Sequence, residues 1–257
     1  FYLSLQTMAK FADMMGRRDD AADYRSAMDN VAEAFNSKYL KQDAATGAYY
    51  YDTGTWSQTG TRTQYRQTSN IVALMMDVVP RSKKQSVIDT LLKDIEEKGN
   101  HLDVGIIGAR YILPTLTELG YEDVAYQILT ADTYPSWGHM ALNGTSLWEM
   151  WENTTRSRDH YFLGTYDQYL FEYLGGVKGM EEGYKTFTLE PNVLGDLAYV
   201  NVGLDTVRGD LESRWTLDEN NALVYTVEIP VGSTATVKLP TAKLDNVQVN
   251  GKALRAA

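Results

Sequence analysis

A mainly helical body followed by a β-domain is the fold class this sequence predicts, and three patterns predict it. Apolar side chains recur three and four residues apart as far as Leu174. From about Tyr184 onward they alternate with polar ones at every second position. Nowhere do strand and helix patterns alternate in the way a parallel βαβ sheet requires. The 257 residues suffice for a large domain and a small one, and an apolar fraction of 44% with 23% charged residues is that of an ordinary globular chain.

The elements follow in order. Leu5, Met8, Phe11, Ala12 and Met15 form one face of a first helix that Gly16 ends. Asp19 or Asp20 caps a second helix, with Tyr24, Met28, Val31 and Phe35 on its stripe, so the two form a helical hairpin. Residues 41–66 are polar and rich in Gly, Thr and Tyr, a long loop with a short hairpin near Tyr49–Tyr51; loops of this length in compact domains tend to be functional. Helical signal resumes at Thr68–Val79 and stops before Pro80. Ser82 and Gln85 form a capping box for a helix through Val87, Ile88, Leu91, Leu92 and Ile95, closed by Gly99. Further helices are expected over Val104–Leu119, kinked at Pro114, over Glu122–Thr130, and over Thr165–Leu174. In the β-domain, Leu211, Ser213, Trp215 and Leu217 alternate, as do Leu223, Tyr225, Val227 and Ile229; Val237 and Leu239 follow, and Val247 and Val249 precede the hairpin pair Asn250-Gly251. A small antiparallel sandwich fits this spacing. The change of period sets the helical domain at 1–180 and the β-domain at 181–257.

Composition limits the ligand. A net charge of −10, from 34 acids against 24 bases, argues against nucleic acid, which needs a basic face. No apolar stretch is long enough for a membrane helix. With no cysteine there is neither a disulfide nor a thiolate metal site, and cytoplasmic, periplasmic and extracellular settings all remain open. The three histidines, at 101, 139 and 160, lack metal-ligand spacing, and no dinucleotide or phosphate-loop fingerprint occurs in a strand–turn–helix context. No metal and no cofactor is expected.

What the sequence does concentrate is carbohydrate chemistry. The runs Tyr134-Pro135-Ser136-Trp137-Gly138, Gly144-Thr145-Ser146-Leu147-Trp148-Glu149-Met150-Trp151-Glu152 and Asp159-His160-Tyr161 bring indoles, carboxylates and an imidazole into one segment. Indole faces stack on sugar rings, and carboxylates do the proton work of glycoside hydrolysis. Trp137 and Trp148 are candidate sugar contacts, each with core packing as its alternative; Trp56, on the long loop, is a candidate rim residue or a loop anchor. Glu149 lies in sequence between two tryptophans, whose desolvation pushes a carboxyl pKa up, while donors on Asn143, Thr145 or His160 are expected to hold it ionised. Its bland alternative is a helix-start carboxylate favoured by the dipole. Glu152 would share a helix face with it at i, i+3, too close to form an inverting pair, and reads as a solvated charge. His160 reads as a ligand contact or as a buried, satisfied histidine, and His101, near a helix start, as a structural residue or one that supports the site from behind.

These runs, with Asn100-His101-Leu102 and Gly105-Ile106-Ile107-Gly108 before them, resemble bacterial α-L-rhamnosidases of glycoside hydrolase family 78 over essentially the whole chain. The resemblance implies the second half of an (α/α)6 barrel of twelve helices with a C-terminal β-sandwich, and inversion at the anomeric carbon. It implies that Glu149 is the general base and that His160 contacts the bound rhamnose. The family's general acid lies in a segment of the type Arg-Asp-Glu-Arg-x-Gly-Trp, and nothing like it occurs here. The spacing from Glu149 to His160 is also short, and His139 departs from the pattern. The acid is therefore expected outside this chain, which alone would lack turnover. Phe1–Met8 open directly in helical periodicity without initiator Met, cap or leader, which suggests a chain cut from a longer one. Its expected partners are a rhamnoside and, against the apolar face that half a barrel leaves open, the missing half or a second copy. The competing readings are a barrel hydrolase for another sugar and a non-catalytic carbohydrate-binding or structural module.

Overall fold

The computed structural model describes residues 1–52, 54, 65–179, 183–241 and 246–254. The chain divides into two compact units, Phe1–Thr165 and Tyr166–Ala257. The first is helical. Helices α1 (Tyr2–Met14) and α2 (Arg18–Tyr39) pack as a hairpin. Gly16 turns it: its φ of +71° lets Gly16 and Arg17 donate their N–H groups to the carbonyls of Asp13 and Ala12. Asp19 and Asp20 do not cap α2. The helix already starts at Arg18, so both acids sit in its first turn, where the dipole favours negative charge. The expected stripe of α1 is only partly covered. Leu5, Ala9 and Ala12 are buried, whereas Met8, Phe11, Met14 and Met15 stay exposed.

The expected short hairpin pairs β1 (Leu40–Gln42) with β2 (Tyr49–Tyr51). Asp43 starts its turn by accepting from the N–H of Ala45 and from the N–H and hydroxyl of Thr46; the Thr46 bonds hold its carboxyl below the usual range. Tyr51 is fully buried, stacks on Phe35 at 5.1 Å and donates its hydroxyl to Asn36.

Helices α3 (Gln67–Met75), α4 (Arg81–Glu97), α5 (Ile106–Glu118) and α6 (Glu122–Thr130) enclose Ile71, Leu91, Ile95, Ile112, Leu113, Leu116 and Ile128. Helix α3 ends sooner than its period implies because Asp77 adopts φ +52° and Val78 bonds back to Ala73. No capping box forms on α4. Pro80 takes the cap position, and the Gln85 amide turns to Asp89 instead. Pro114 lies inside α5, as expected. A short helix that the periodicity did not reveal, α7 (Trp137–Asn143), follows, with Ser136 Oγ accepting from the His139 N–H at 3.0 Å. Residues 144–160 have no regular structure, and a single 3-10 turn, Tyr161–Thr165, ends the unit.

The second unit begins with α8 (Tyr166–Tyr169), which widens into a π-type turn at Leu170–Leu174. That stretch was expected as the last element of the helical body. Its end is tied into the β-unit: Trp215 donates Nε1–H to the Leu174 carbonyl at 2.9 Å, Ser213 its hydroxyl to Gly175, and Asn192 its N–H to Tyr173. Strands β3 (Val177–Lys178), β4 (Thr186–Leu189) and β8 (Thr234–Val237) form one sheet, and β5 (Tyr199–Thr206), β6 (Gly209–Leu217) and β7 (Leu223–Glu228) another. All these pairs are antiparallel except β4 with β8, which the alternation had not distinguished. The alternation on β6 is obeyed: Leu211, Ser213 and Trp215 are all buried, Leu211 in a cluster with Val177, Phe187, Leu189 and Val202. Asn250 and Gly251, both at positive φ, turn β9 (Gln248–Val249) into β10 (Lys252–Ala253).

Candidate active site

Three tryptophans fix the segment that carries the candidate residues. Trp137 begins α7, is 5% exposed, and donates Nε1–H to the Leu163 carbonyl at 2.7 Å. Trp151 donates its own to the Val104 carbonyl at 2.7 Å and meets Trp137 edge-on, with ring centroids 5.5 Å apart. Trp148 is 1% exposed and lies against Gly144, where a Cβ would come within 2.8 Å of its indole nitrogen. The Arg158 guanidinium lies 5.4 Å from the Trp148 ring. These contacts span residues far apart in sequence, so the loop between them is held by side chains rather than by a ladder.

Within that frame the chain folds back on itself. Glu149 donates its N–H to the Ser157 carbonyl at 3.1 Å, and His160 donates its N–H to the Leu147 carbonyl at 2.9 Å. Ser146 adds a side-chain bond to the Arg158 carbonyl. Glu149 and His160 therefore occupy facing arms of one loop, and both are half-buried. Through Nδ1, His160 lies 3.3 Å from the Ser157 hydroxyl, and its ring sits 4.3 Å from that of Phe162. The Glu149 carboxylate has no hydrogen bond or ion pair among the described residues; Asn143, one of its expected donors, bonds to the His139 carbonyl instead.

Two expectations are corrected here. Residues 144–160 are not helical, because Gly144 leaves α7 in an extended conformation and Ser146 bonds across the loop. The helix-dipole reading of Glu149 and the shared helix face with Glu152 fall with it. Nor is Glu152 a freely solvated charge. Its Oε2 is enclosed and has no hydrogen-bond partner among the described residues. Its carboxylate borders Tyr134, whose phenol is pushed above its ordinary pKa by burial, then by the Glu152 charge and its hydrogen bond.

A polar network that the sequence reading missed braces the neighbouring segment. Gln67, fully buried, donates to Asp94 at 3.0 Å and accepts from the Asp103 N–H at 2.8 Å, while the Arg66 guanidinium pairs with Asp103 at 2.8 Å. The Tyr65 hydroxyl is enclosed without a partner among the described residues, and burial, with the charges of Asp94 and Asp103, raises its pKa. His101 joins two backbone turns structurally, with Nδ1 at 2.7 Å from the Gly99 carbonyl and Nε2 at 2.7 Å from the Thr133 hydroxyl. The only sequence signal for this network was a polar Gln at the start of an apolar helix.

Comparison with known proteins places this geometry. Residues 1–174 match the bacterial alpha-L-rhamnosidase 6 hairpin glycosidase domain, and residues 176–254 the bacterial alpha-L-rhamnosidase C-terminal domain. The chain belongs to the bacterial α-L-rhamnosidase family. An alpha-L-rhamnosidase of Formosa agariphila is 31% identical over 98% of this chain and 26% of its own length. The solved alpha-L-rhamnosidase of Dictyoglumus thermophilum superposes with a TM-score of 0.84 at 34% identity, over 95% of this chain and 26% of that one. That of Streptomyces avermitilis, solved complexed with L-rhamnose, superposes with a TM-score of 0.82 at 26% identity, over 100% of this chain and 24% of that one. The chain thus spans about a quarter of the length of these relatives.

In this rhamnosidase-family segment, the fold is the expected one: part of a six-hairpin helical domain followed by a β-domain. Of the residues picked out by sequence, Glu149 and His160 share a loop. Trp137 and Trp148 are buried behind it, which suits packing rather than an open sugar platform. Trp56 lies outside the described residues. Among the described residues no group of three or more acids or histidines converges as a metal site would need, and no helix is long and apolar enough to cross a membrane.

Proposed function

We propose that this chain supplies the general-base side of the sugar site of an inverting α-L-rhamnosidase, with Glu149 as the base and His160 as a contact to the bound sugar. The observation that supports it most is the folded-back loop, whose two backbone bonds put these residues on facing arms. An inverting glycosidase needs a carboxylate that removes a proton from water on one face of the sugar, and an acid about 6.5–9.5 Å away that protonates the departing oxygen. Glu149, half-buried and with its carboxylate unengaged by the described residues, is available for the first task. A base already tied up by donors would hold its lone pairs back from water. The second task falls to a glutamate from outside these residues. Trp137, Trp148 and Trp151 serve as the packed wall that keeps the loop in place.

The reading is tested by presenting the chain with L-rhamnose in a calorimeter and with p-nitrophenyl α-L-rhamnoside in a rate assay. Binding of rhamnose without release of p-nitrophenol is expected. In a full-length relative, Glu149→Gln at the matching position should lower kcat by at least about a hundredfold while leaving KM near its original value. A chain that binds no sugar at all would overturn the reading.

A further inference from the structure

Gln67 is a buried amide engaged at both ends. It opens α3 and joins two other stretches of chain: Nε2–H donates to Asp94 of α4 at 3.0 Å and to the His101 carbonyl at 3.3 Å, and Oε1 accepts from the Asp103 N–H at 2.8 Å. These partners admit one orientation of the amide. A carboxylate and a carbonyl accept, and a peptide N–H donates, so the nitrogen faces Asp94 and the oxygen faces Asp103. Asp94 is held in turn by Lys98. The bonds to His101 and Asp103 clamp the backbone on either side of Leu102, itself buried.

The clamped segment leads straight to the anchor of the candidate loop. Val104 comes next, and its carbonyl is the acceptor for the Trp151 indole N–H at 2.7 Å. Val104 has little freedom to shift toward α5: a Cβ on Gly108 would come within 2.6 Å of both the Val104 Cβ and the Thr68 hydroxyl. Trp151 stands two residues beyond Glu149 and meets Trp137 edge-on. A displaced 101–104 segment would therefore carry Trp151 with it and, through two peptide units, Glu149. We infer that Gln67 is a positioning residue for Glu149: through Asp103 and Val104 it sets where Trp151 seats, and through Trp151 it holds the Glu149 arm of the loop against the His160 arm. This rests on the reading of Glu149 and His160 as a sugar site. Gln67 itself touches no sugar; its amide transmits the position of α3 and α4 to the loop.

The test compares the original chain with Gln67→Met, Trp151→Phe and the double variant. It reads L-rhamnose affinity by calorimetry, and hydrogen exchange at the Trp151 indole and the Glu149 amide by nuclear magnetic resonance, well below the unfolding temperature. Gln67→Met keeps the side-chain length and removes all three bonds; Trp151→Phe keeps a ring against Trp137 and removes the donor to Val104. Each should weaken L-rhamnose binding about three- to tenfold. The double variant should be little weaker than the worse single one, because both changes break one linkage. In Gln67→Met, exchange at the Trp151 indole and the Glu149 amide should speed up, while the amides of α6 and the Trp215 indole, bonded to Leu174 in the other unit, keep their original rates. If Gln67→Met does not fold, Asp94→Asn takes its place, since it loosens the amide's orientation without removing the amide, and the same pattern is expected at smaller amplitude. Losses that simply multiply in the double variant, or L-rhamnose affinity unchanged in the folded Gln67 or Asp94 variant, make Gln67 a structural residue and sink the inference while the site around Glu149 stands. An original chain that binds no L-rhamnose overturns the reading of Glu149 and this inference with it.

Discussion

Each of the two units buries indoles that donate to a distant backbone carbonyl, but what surrounds them differs. In the β-unit, Trp215 reaches Leu174 from the middle of a strand paired on both sides, and its neighbour Ser213 finds partners in Gly175 and Tyr225. In the helical unit, Trp137 and Trp151 reach Leu163 and Val104 across a loop whose backbone makes few bonds of its own, and in that loop one oxygen of Glu152 and the Thr155 hydroxyl have no partner among the described residues. A ladder commits its peptide groups and satisfies its polar side chains, so it carries stability and little else. A loop held by side chains commits fewer of its peptide groups and leaves polar side-chain atoms over.

That contrast can be broken at its strongest point first. Trp215→Ala should destabilise the β-unit by about 3–5 kcal/mol, since it removes a fully buried ring. Urea unfolding of the original and altered chains measures this. Amide exchange at Glu149 and His160, whose N–H groups make the two loop bonds, should be unaffected. Gly144→Ala acts on the other side. Its Cβ would press on the Trp148 indole, costing about 1–3 kcal/mol, and here exchange at those two amides should speed up while that of the β5–β6–β7 ladder stays slow. Equal effects on both sets of amides would mean that the loop and ladder are not independent in the way described.

A milder change sharpens the same point. Trp137→Phe keeps most of the ring volume but leaves the Leu163 carbonyl without its donor, for an expected loss of about 1–2 kcal/mol and weaker L-rhamnose binding. Ligand-free unfolding and calorimetry together separate the two effects.

The smallest effect is confined to alkaline pH. Burial pushes the Tyr51 phenol up to about 12, whereas it ionises near 10 in an unfolded chain. A pKa raised on folding means that the stabilising contribution is complete below pH 10 and fades as pH rises through 12. The helical unit should accordingly lose stability across that window, seen as a lower urea midpoint by circular dichroism and as a delayed ultraviolet titration of the tyrosines. Tyr51→Phe should move that alkaline edge to higher pH, at the expense of about 1 kcal/mol near neutrality from the lost bond to Asn36.

Much of the fold was legible before any coordinate. Gly16 and Gly99 close helices where the pattern stopped, the Tyr49–Tyr51 hairpin forms, and the Asn250-Gly251 pair turns its strands. Each of these signals is local: a left-handed residue or an alternating pair acts on neighbours within a few positions. The misses have competing local chemistry behind them. Pro80 displaced the Ser82 capping box, Asp77 accepted a left-handed turn, and Gly144 stopped α7 before it could carry Glu149. In the candidate site, the sequence singled out Glu149 and His160 as residues but not the backbone bonds that set them on facing arms.

The sequence by itself determined the two periods, the order of helices and strands, and the family resemblance carried by the Thr145–Glu149 run. All of these depend on residue types at short spacings. Only the tertiary structure decided that Trp137 and Trp148 are buried, that Trp215 ties Leu174 to the β-unit, and that one carboxylate oxygen of Glu152 is enclosed. The reason is that enclosure is a property of what arrives from elsewhere in the chain. Val104, Tyr134 and Leu163 close on this loop from separate elements, and no pattern within the loop announces them.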